Sequence, residues 1–119
     1  MSKKYAHISF TPPASAAAAA KRGLELRDGV APSNRGMTPV GIARARQLIN
    51  RQNLNPATIG RMVSFFARHE VDKQGKGWSS GSEGYPSKGL QAWLGWGGDP
   101  GRAWANKVMR QMKAADKKG

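Results

Sequence analysis

The chain has 119 residues, of which 20 are lysine or arginine and 7 are aspartate or glutamate, so its formal net charge is +13 at neutral pH. The lack of cysteine excludes disulfides, thiolate metal sites and a cysteine nucleophile. The length and the hydrophobic fraction of 39% fit one domain with a modest core, and we expect neither a signal peptide nor a membrane span, because no apolar run is long enough for either.

The first part of the chain predicts an extended arm followed by a helix. The arm covers residues 1–13, and the side chains with which it could pack on a neighbour are Tyr5, Ile8 and Phe10. An alanine run predicts a helix over about residues 14–26, because alanine has the highest helix propensity. Leu24 and Leu26 are its only large apolar side chains, so we expect this helix to be weakly held.

A capping residue followed by proline marks the start of three further helices. The cap side chain accepts a backbone N–H that has no partner inside the helix, and proline at the first helical position has no such N–H. The three pairs are Thr38-Pro39, Asn55-Pro56 and Asp99-Pro100. They predict helices over about residues 39–50, 56–69 and 100–115. A shorter helix is predicted from Ser87 up to the Gly97-Gly98 pair.

A long glycine-rich loop, residues 71–86, connects the helix over 56–69 to the short helix. A connection of this length in a small domain is usually functional or mobile. Trp78 and Tyr85 indicate that part of it packs down, and the same two residues are candidates for stacking on nucleobases or for an interface with a protein. The sequence predicts an all-α fold, a single compact bundle of four to five short helices over residues 14–116, with a basic tail over 117–119.

The predicted helices are amphipathic, and each polar face is basic. The side chains expected on the exposed face of the helix over 39–50 are Arg44, Gln47 and Arg51. Those expected on the exposed face over 56–69 are Arg61, Ser64 and Arg68. Those expected on the exposed face over 100–115 are Arg102, Asn106, Arg110, Lys113 and Lys117.

The sequence offers little for catalysis or metal binding. His69, Glu70 and Asp72 bring imidazole and carboxylate groups together, but adjacent positions at a helix end point in different directions, and no second histidine stands at ligand spacing. The glycine-rich segment 97–101 lacks the lysine and the preceding strand of a phosphate-binding loop. We therefore predict a non-enzymatic protein with no metal site and no cofactor.

The two helices over residues 39–69 also allow a helix-turn-helix interpretation. In that interpretation the side chains that face base edges are Ala57, Thr58 and Arg61, and those that meet phosphates are Arg44, Arg46 and Arg51. The stretch LNPATIGRM resembles the start of the recognition helix in the lactose-repressor family. The joining turn is longer than the usual three or four residues, and a plain helical hairpin explains the same pattern.

Most of the chain resembles a small uncharacterised domain of tailed-bacteriophage proteins, which occurs alone or beside head-associated proteins. The resemblance runs from about residue 8 to residue 112, and its most distinctive parts are SFFARHEVDK, EGYPS and WGGDPGRAW. It implies a phage setting, either the host cytoplasm during infection or the virion. It implies no catalytic residues.

The excess of positive charge predicts a polyanionic partner, and nucleic acid is the first choice. We expect non-specific binding through phosphate contacts from the basic helix faces. The residues predicted to make these contacts are Arg44, Arg46, Arg51, Arg61, Arg68, Arg102, Arg110 and Lys113. One alternative is a virion adaptor that docks on a phage head or host protein through Trp78 and Tyr85, and another is a charge that only keeps the domain soluble. The oligomeric state stays open.

Overall fold

A computed structural model describes residues 3–118, and all regular structure within that range is helical. The five α-helices of this range are α1 (Ala14–Asp28), α2 (Pro39–Ile49), α3 (Pro56–His69), α4 (Lys88–Gly95) and α5 (Gly98–Lys118). Short 3-10 helices are present at Lys3–Tyr5, Pro32–Asn34 and Glu70–Gln74. The predicted all-α class is confirmed. Residues 1 and 2 of the predicted arm and residue 119 of the predicted tail lie outside the described residues.

Side-chain caps begin three of the helices. The side chains of Thr38, Asn55 and Ser87 accept hydrogen bonds from the backbone N–H groups of Gly41, Thr58 and Leu90, respectively. The predicted cap at Asp99 is wrong, because α5 already begins at Gly98. Gly97 and Gly98 have φ of +116° and +63°, and this left-handed backbone turns the chain from α4 directly into α5.

The core is built around Trp93 of α4, which is 1% exposed. Its ring forms T-shaped pairs with two other rings. The centroid of Phe66 is 4.8 Å away with an interplanar angle of 75°, and that of Trp78 is 5.8 Å away with an angle of 73°. Apolar side chains of α2, α3 and α5 fill the space around these rings, including Leu48, Ile59, Met62, Val108 and Met112. Aromatic rings in such T-shaped pairs add about 0.5–1.5 kcal/mol to the burial of their area.

The segment before α1 packs on the helices of its own chain. Ile8, Phe10 and Pro12 are buried, and the backbone carbonyl of Phe10 accepts a hydrogen bond from the N–H of Leu54 at 2.9 Å. At the far end of the segment, the hydroxyl of Tyr5 donates to the carboxylate of Asp116 at 2.7 Å.

Helix α1 packs through small residues rather than through large anchors. Ala16, Ala20 and Gly23 are its buried positions, and the helix contacts α2, α4 and α5. A Cβ atom added at Gly23 would lie 2.7 Å from the backbone nitrogen of Gly95, so the two helix backbones meet there. The alanine run that predicted a weakly held helix therefore allows a close approach to α4.

The glycine-rich loop folds back on itself. Its first residues form the 3-10 helix Glu70–Gln74, and the carbonyl of Gly77 accepts a hydrogen bond from the N–H of Ser87 at 2.9 Å. Gly77 has φ of +86°, and a Cβ there would lie 2.4 Å from the carbonyl oxygen of Gly84. The loop thus closes at its base and brings Trp78 onto Trp93.

Candidate nucleic-acid interface

The outward face of α3 borders a groove between α2 and α3. Arg61, Ser64 and Arg68 are exposed at spacings of three and four residues, so their side chains form one row along the helix. Val40 of α2 and Trp96, which follows α4, also line this groove, whose volume is about 580 Å³. Since Val40 is 57% exposed, the groove combines two guanidinium groups with apolar surface.

A second cavity, of about 520 Å³, adjoins the first, because Arg68 and Trp96 line both. It adds two more basic side chains, Arg35 from the loop before α2 and Lys88 from the first turn of α4. We call the two cavities together the α3 groove. Three elements of the chain, α3, α4 and the loop before α2, thus bring cations to one concave surface.

Arg44 does not lie on an exposed face, and this prediction is wrong because the residue is only 7% exposed. It lies one turn after Val40 on α2, and its guanidinium carbon is 5.2 Å from the centroid of the Trp96 ring. Its Nη1 donates a hydrogen bond to the side-chain oxygen of Gln47, whereas its Nε has no hydrogen-bond partner. Among residues 3–118, no carboxylate forms an ion pair with Arg44.

The charge on Arg44 is therefore uncompensated. Burial, followed by the neighbouring charge of Arg61, lowers the pKa of Arg44. A guanidinium nevertheless keeps its proton in proteins, so the group holds a positive charge away from water with no anion beside it. The contact with the face of Trp96 offsets about 0.5–2 kcal/mol of this penalty. Arg44 itself lines neither cavity, but the Trp96 ring beneath its guanidinium lines both.

A stack of three rings, from Trp96, Phe65 and His69, lies below the groove. Trp96 and Phe65 are nearly parallel, with centroids 4.6 Å apart and an interplanar angle of 7°. Phe65 stacks in turn on the imidazole of His69 at 4.4 Å, and His69 Nδ1 is hydrogen-bonded to Asp72 Oδ2 at 3.0 Å. Because Phe65 lies against Trp96 and the guanidinium of Arg44 lies over its ring, Trp96 is a fixed support and not an open platform for a base.

The structure sorts the other predicted cations into two groups. Arg46, Arg61, Arg68, Arg110 and Lys113 are exposed, and within the described residues none of them has a hydrogen bond or ion pair from its side chain. Arg51 and Arg102, in contrast, are used inside the fold. Arg51 donates from Nε to the carbonyl of Pro12 at 2.8 Å, and Arg102 pairs with Glu70 at 2.6 Å.

Six of the seven acidic residues pair with cations outside the row on α3. The ion pairs are Lys4–Asp116, Arg27–Asp28, Lys73–Asp99, Lys76–Glu83 and Arg102–Glu70, together with His69–Asp72. Asp72 lines the α3 groove beside Arg68, but its oxygen is bonded to His69. The few carboxylates of the chain therefore leave Arg61 and Arg68 unneutralised.

The two aromatic residues of the loop are already engaged within the chain. Trp78 is partly buried against Trp93, as the sequence predicted for part of the loop. Tyr85 is also partly buried, and its hydroxyl accepts a hydrogen bond from Arg22 at 3.1 Å.

The α2–α3 pair does not present the predicted base-reading set. Thr58 is 5% exposed, so its hydroxyl is not available to a base edge, and this part of the helix-turn-helix interpretation is wrong. Ala57 and Arg61 are exposed, but alanine has no polar group with which to read a base.

Arg35 and Lys88 were not predicted as part of the site. Neither residue is part of the polar face of an amphipathic helix, because Arg35 lies in a loop and Lys88 is the first residue of α4. A helical periodicity in the sequence therefore cannot reveal them, and the tertiary fold alone brings them beside Arg68.

Comparisons with protein families, with characterised proteins and with solved structures find no match for this chain. Residues 3–118 contain no group of three or more histidine or carboxylate side chains that could hold a metal ion. The helices of the same range include none that is both long and apolar enough to cross a bilayer.

Proposed function

We propose that this protein binds nucleic acid without sequence preference, mainly through phosphate contacts. The observation that carries the proposal is the separation of charges. Carboxylates neutralise Lys73, Lys76 and Arg102, whereas the exposed cations of α3 and of the outer face of α5 have no ion pair in the described structure. Unpaired cations on a helix surface repel one another, and a polyphosphate removes this repulsion.

Each phosphate contact would contribute to the affinity for DNA because the cation of the protein releases a counterion from the DNA. Each cation that replaces a condensed counterion contributes about 0.9 to the slope of log K against log salt for duplex DNA. The residues proposed to do this are Arg46, Arg61, Arg68, Arg110 and Lys113, which are the exposed and unpaired members of the predicted set. The domain is 50 Å long, which corresponds to about 15 base pairs at roughly 3.4 Å each.

Lack of sequence preference is proposed from the residues at the start of α3. Bidentate readout of bases needs side chains such as arginine, asparagine or glutamine on an element that enters the major groove. Ala57 and the buried Thr58 occupy the start of α3, where a recognition helix would need polar side chains. The proposed role is therefore binding without base readout and without catalysis.

A bacteriophage setting completes the proposal, in the host cytoplasm during infection or in the virion, where the viral genome is the abundant polyanion. The adaptor alternative has less support. It depends on Trp78 and Tyr85 as anchors, and both side chains are partly buried in contacts within the chain.

The experiment is a salt titration of DNA binding, measured by fluorescence anisotropy with a labelled 20-mer in single- and double-stranded form. We expect affinity to fall steeply between about 50 and 200 mM salt. A variant with glutamine at the five unpaired positions should lose most of the salt slope while keeping its helical circular dichroism. An affinity of the wild-type protein that does not change with salt would contradict the proposal.

A further inference from the structure

We propose that the α3 groove is a phosphate site, which places one stretch of nucleic-acid backbone against Arg61 and Arg68, near the buried guanidinium of Arg44. This inference rests on the proposed function and names the locus that carries most of the affinity. It distinguishes the groove from the exposed face of α5, whose unpaired cations Arg110 and Lys113 line neither of the two cavities.

The first argument is the state of Arg44. The residue is nine-tenths buried, its Nε is unpartnered, and no carboxylate within residues 3–118 neutralises it. A structural arginine at this depth normally has an acid or several carbonyl groups around it. Here the guanidinium has Gln47 on one side and Trp96 on another, and an anion bound beside it would supply the counter-charge that the described part of the chain does not.

The second argument is the position of Arg44 relative to the groove. Val40, one turn earlier on α2, and Trp96, which the guanidinium covers, both line the cavity that Arg61 and Arg68 border. Arg61 is close enough to act on the pKa of Arg44 through its charge. An anion that enters between Arg61 and Arg68 therefore meets the field of three guanidinium groups.

The third argument is the spacing along α3. Arg61 and Arg68 are separated by seven residues, which is about 10 Å along the helix axis and about three base steps of a nucleic-acid strand. Beyond Arg68, the adjoining cavity adds Arg35 and Lys88. Because Arg68 lines both cavities, basic residues extend from one cavity into the other, as an extended polyphosphate requires and as a single small anion does not.

An acidic peptide has the same sign of charge but fits less well. Guanidinium groups bind carboxylate and phosphate alike, so one contact does not separate them. A peptide interface also needs apolar anchors at its centre. The rings below the groove, Trp96 and Phe65, are 9% and 6% exposed and stack on each other, so they offer no pocket for such an anchor, and Val40 is left as the large apolar side chain exposed in the groove.

The test compares two double variants that remove the same charge. Arg61→Gln with Arg68→Gln removes two cations of the groove, and Arg110→Gln with Lys113→Gln removes two exposed cations of α5. All four side chains are exposed and unpaired, so both variants should fold as the wild type does. We expect the groove pair to weaken binding of a 20-mer DNA at least about tenfold more than the α5 pair, measured by anisotropy at fixed salt.

A second measurement probes the anion site without DNA. Inorganic phosphate should raise the Tm of the wild-type protein and of the α5 pair above the value in sodium chloride of equal ionic strength. The groove pair and an Arg44→Met variant should lose this increment. General salting effects of phosphate act on all variants, so the difference between them isolates the site.

Each outcome bears on a different statement. Equal losses of DNA affinity in the two pairs, with salt-dependent binding intact in the wild type, would overturn the groove as the locus and leave the proposed function standing. No salt-dependent DNA binding by the wild type would contradict the proposed function itself. Polyglutamate that competes as well as DNA of equal charge would overturn the assignment of nucleic acid to the groove.

Discussion

Two tryptophans three residues apart, Trp93 and Trp96, each lie under basic side chains, and their surroundings differ. The Nζ of Lys73 is 4.7 Å and the guanidinium carbon of Arg102 is 5.7 Å from the centroid of Trp93. Carboxylates neutralise both of these cations. Over Trp96 lies Arg44, for which the described part of the chain provides no carboxylate.

The comparison shows that basic side chains over a tryptophan ring can either stabilise the fold or remain available to a ligand. On the Trp93 side, Asp99 bonds both Lys73 Nζ and Trp93 Nε1 at 3.0 Å, and Glu70 holds Arg102, so charges and hydrogen bonds close the structure. On the Trp96 side, the cations face a groove and remain open to a ligand. A basic side chain that is paired with a carboxylate therefore stabilises the fold. One that has no carboxylate beside it is a candidate for binding a ligand.

The largest expected effect is on stability and comes from the loss of Trp93. We call its surroundings, where Asp99 and Glu70 pair with the nearby cations, the closed side, and those of Trp96 the open side. We expect Trp93→Ala to lower the free energy of unfolding by about 3–5 kcal/mol, because the ring is buried and contacts both Phe66 and Trp78. Denaturant unfolding followed by circular dichroism measures it. The matched contrast is the open side, where Arg61→Gln with Arg68→Gln should change stability by less than about 0.5 kcal/mol. A loss for the arginine pair as large as that for Trp93→Ala would refute the distinction.

A smaller effect comes from a pair of glycines, one at the contact between α1 and α4 and one in the groove. Gly23 of α1 faces α4, and an added methyl group would lie 2.7 Å from the nitrogen of Gly95, so Gly23→Ala should cost about 1–3 kcal/mol. Gly60 lines the groove, and a methyl there would meet only Met109 Cε, at 3.9 Å. Gly60→Ala should therefore stabilise the protein by about 0.5–1 kcal/mol, because it reduces the freedom of the unfolded chain.

Thermal unfolding of the two alanine variants checks this prediction, since the same substitution is made in the middle of two helices. Opposite signs of the change in Tm are expected. A stabilised Gly23→Ala variant would mean that α1 and α4 are not in close contact.

The helices could be predicted from the sequence because their signals are local. Cap and proline pairs identified the starts of α2 and α3, and the caps form as expected at Thr38 and Asn55. Asp99 shows the limit of such reasoning. The same cap and proline pattern occurs there, but left-handed glycines before it start the helix earlier, and its carboxylate binds Lys73 and Trp93.

The interface was less accessible to prediction, because exposure depends on what other elements cover. Arg44 has the sequence context of a polar helix face, yet Trp96, 52 positions later, lies under its guanidinium. Arg61 and Arg68 were predicted as exposed and are exposed. Arg102 has the same pattern but meets Glu70 from another element, and no local pattern contains that information.

The smallest expected effect is the dependence of stability on pH that comes from Asp99, which binds Lys73 and Trp93. Burial alone would raise the pKa of Asp99, but hydrogen bonds from Lys73 and Trp93 and the nearby charges of Lys73 and Arg102 outweigh it, so the pKa is lowered. The folded state then holds its proton less tightly than the unfolded chain. The resulting stability is present above the unfolded value of about 4 and is lost as pH falls through the lower folded value.

Asp99→Asn should therefore destabilise the protein at neutral pH, by no more than about 1 kcal/mol because the Asp99 side chain is 70% exposed and water screens its pair with Lys73. The Tm difference from the wild type should shrink as pH falls below about 4, where the wild-type carboxylate also becomes neutral. Glu83→Gln is the control, since Glu83 and Lys76 are paired at the surface and lie away from Trp93. A Tm difference for Asp99→Asn that stays constant from pH 7 to pH 2 would show that the contact with Trp93, rather than the charge, closes this side of the molecule.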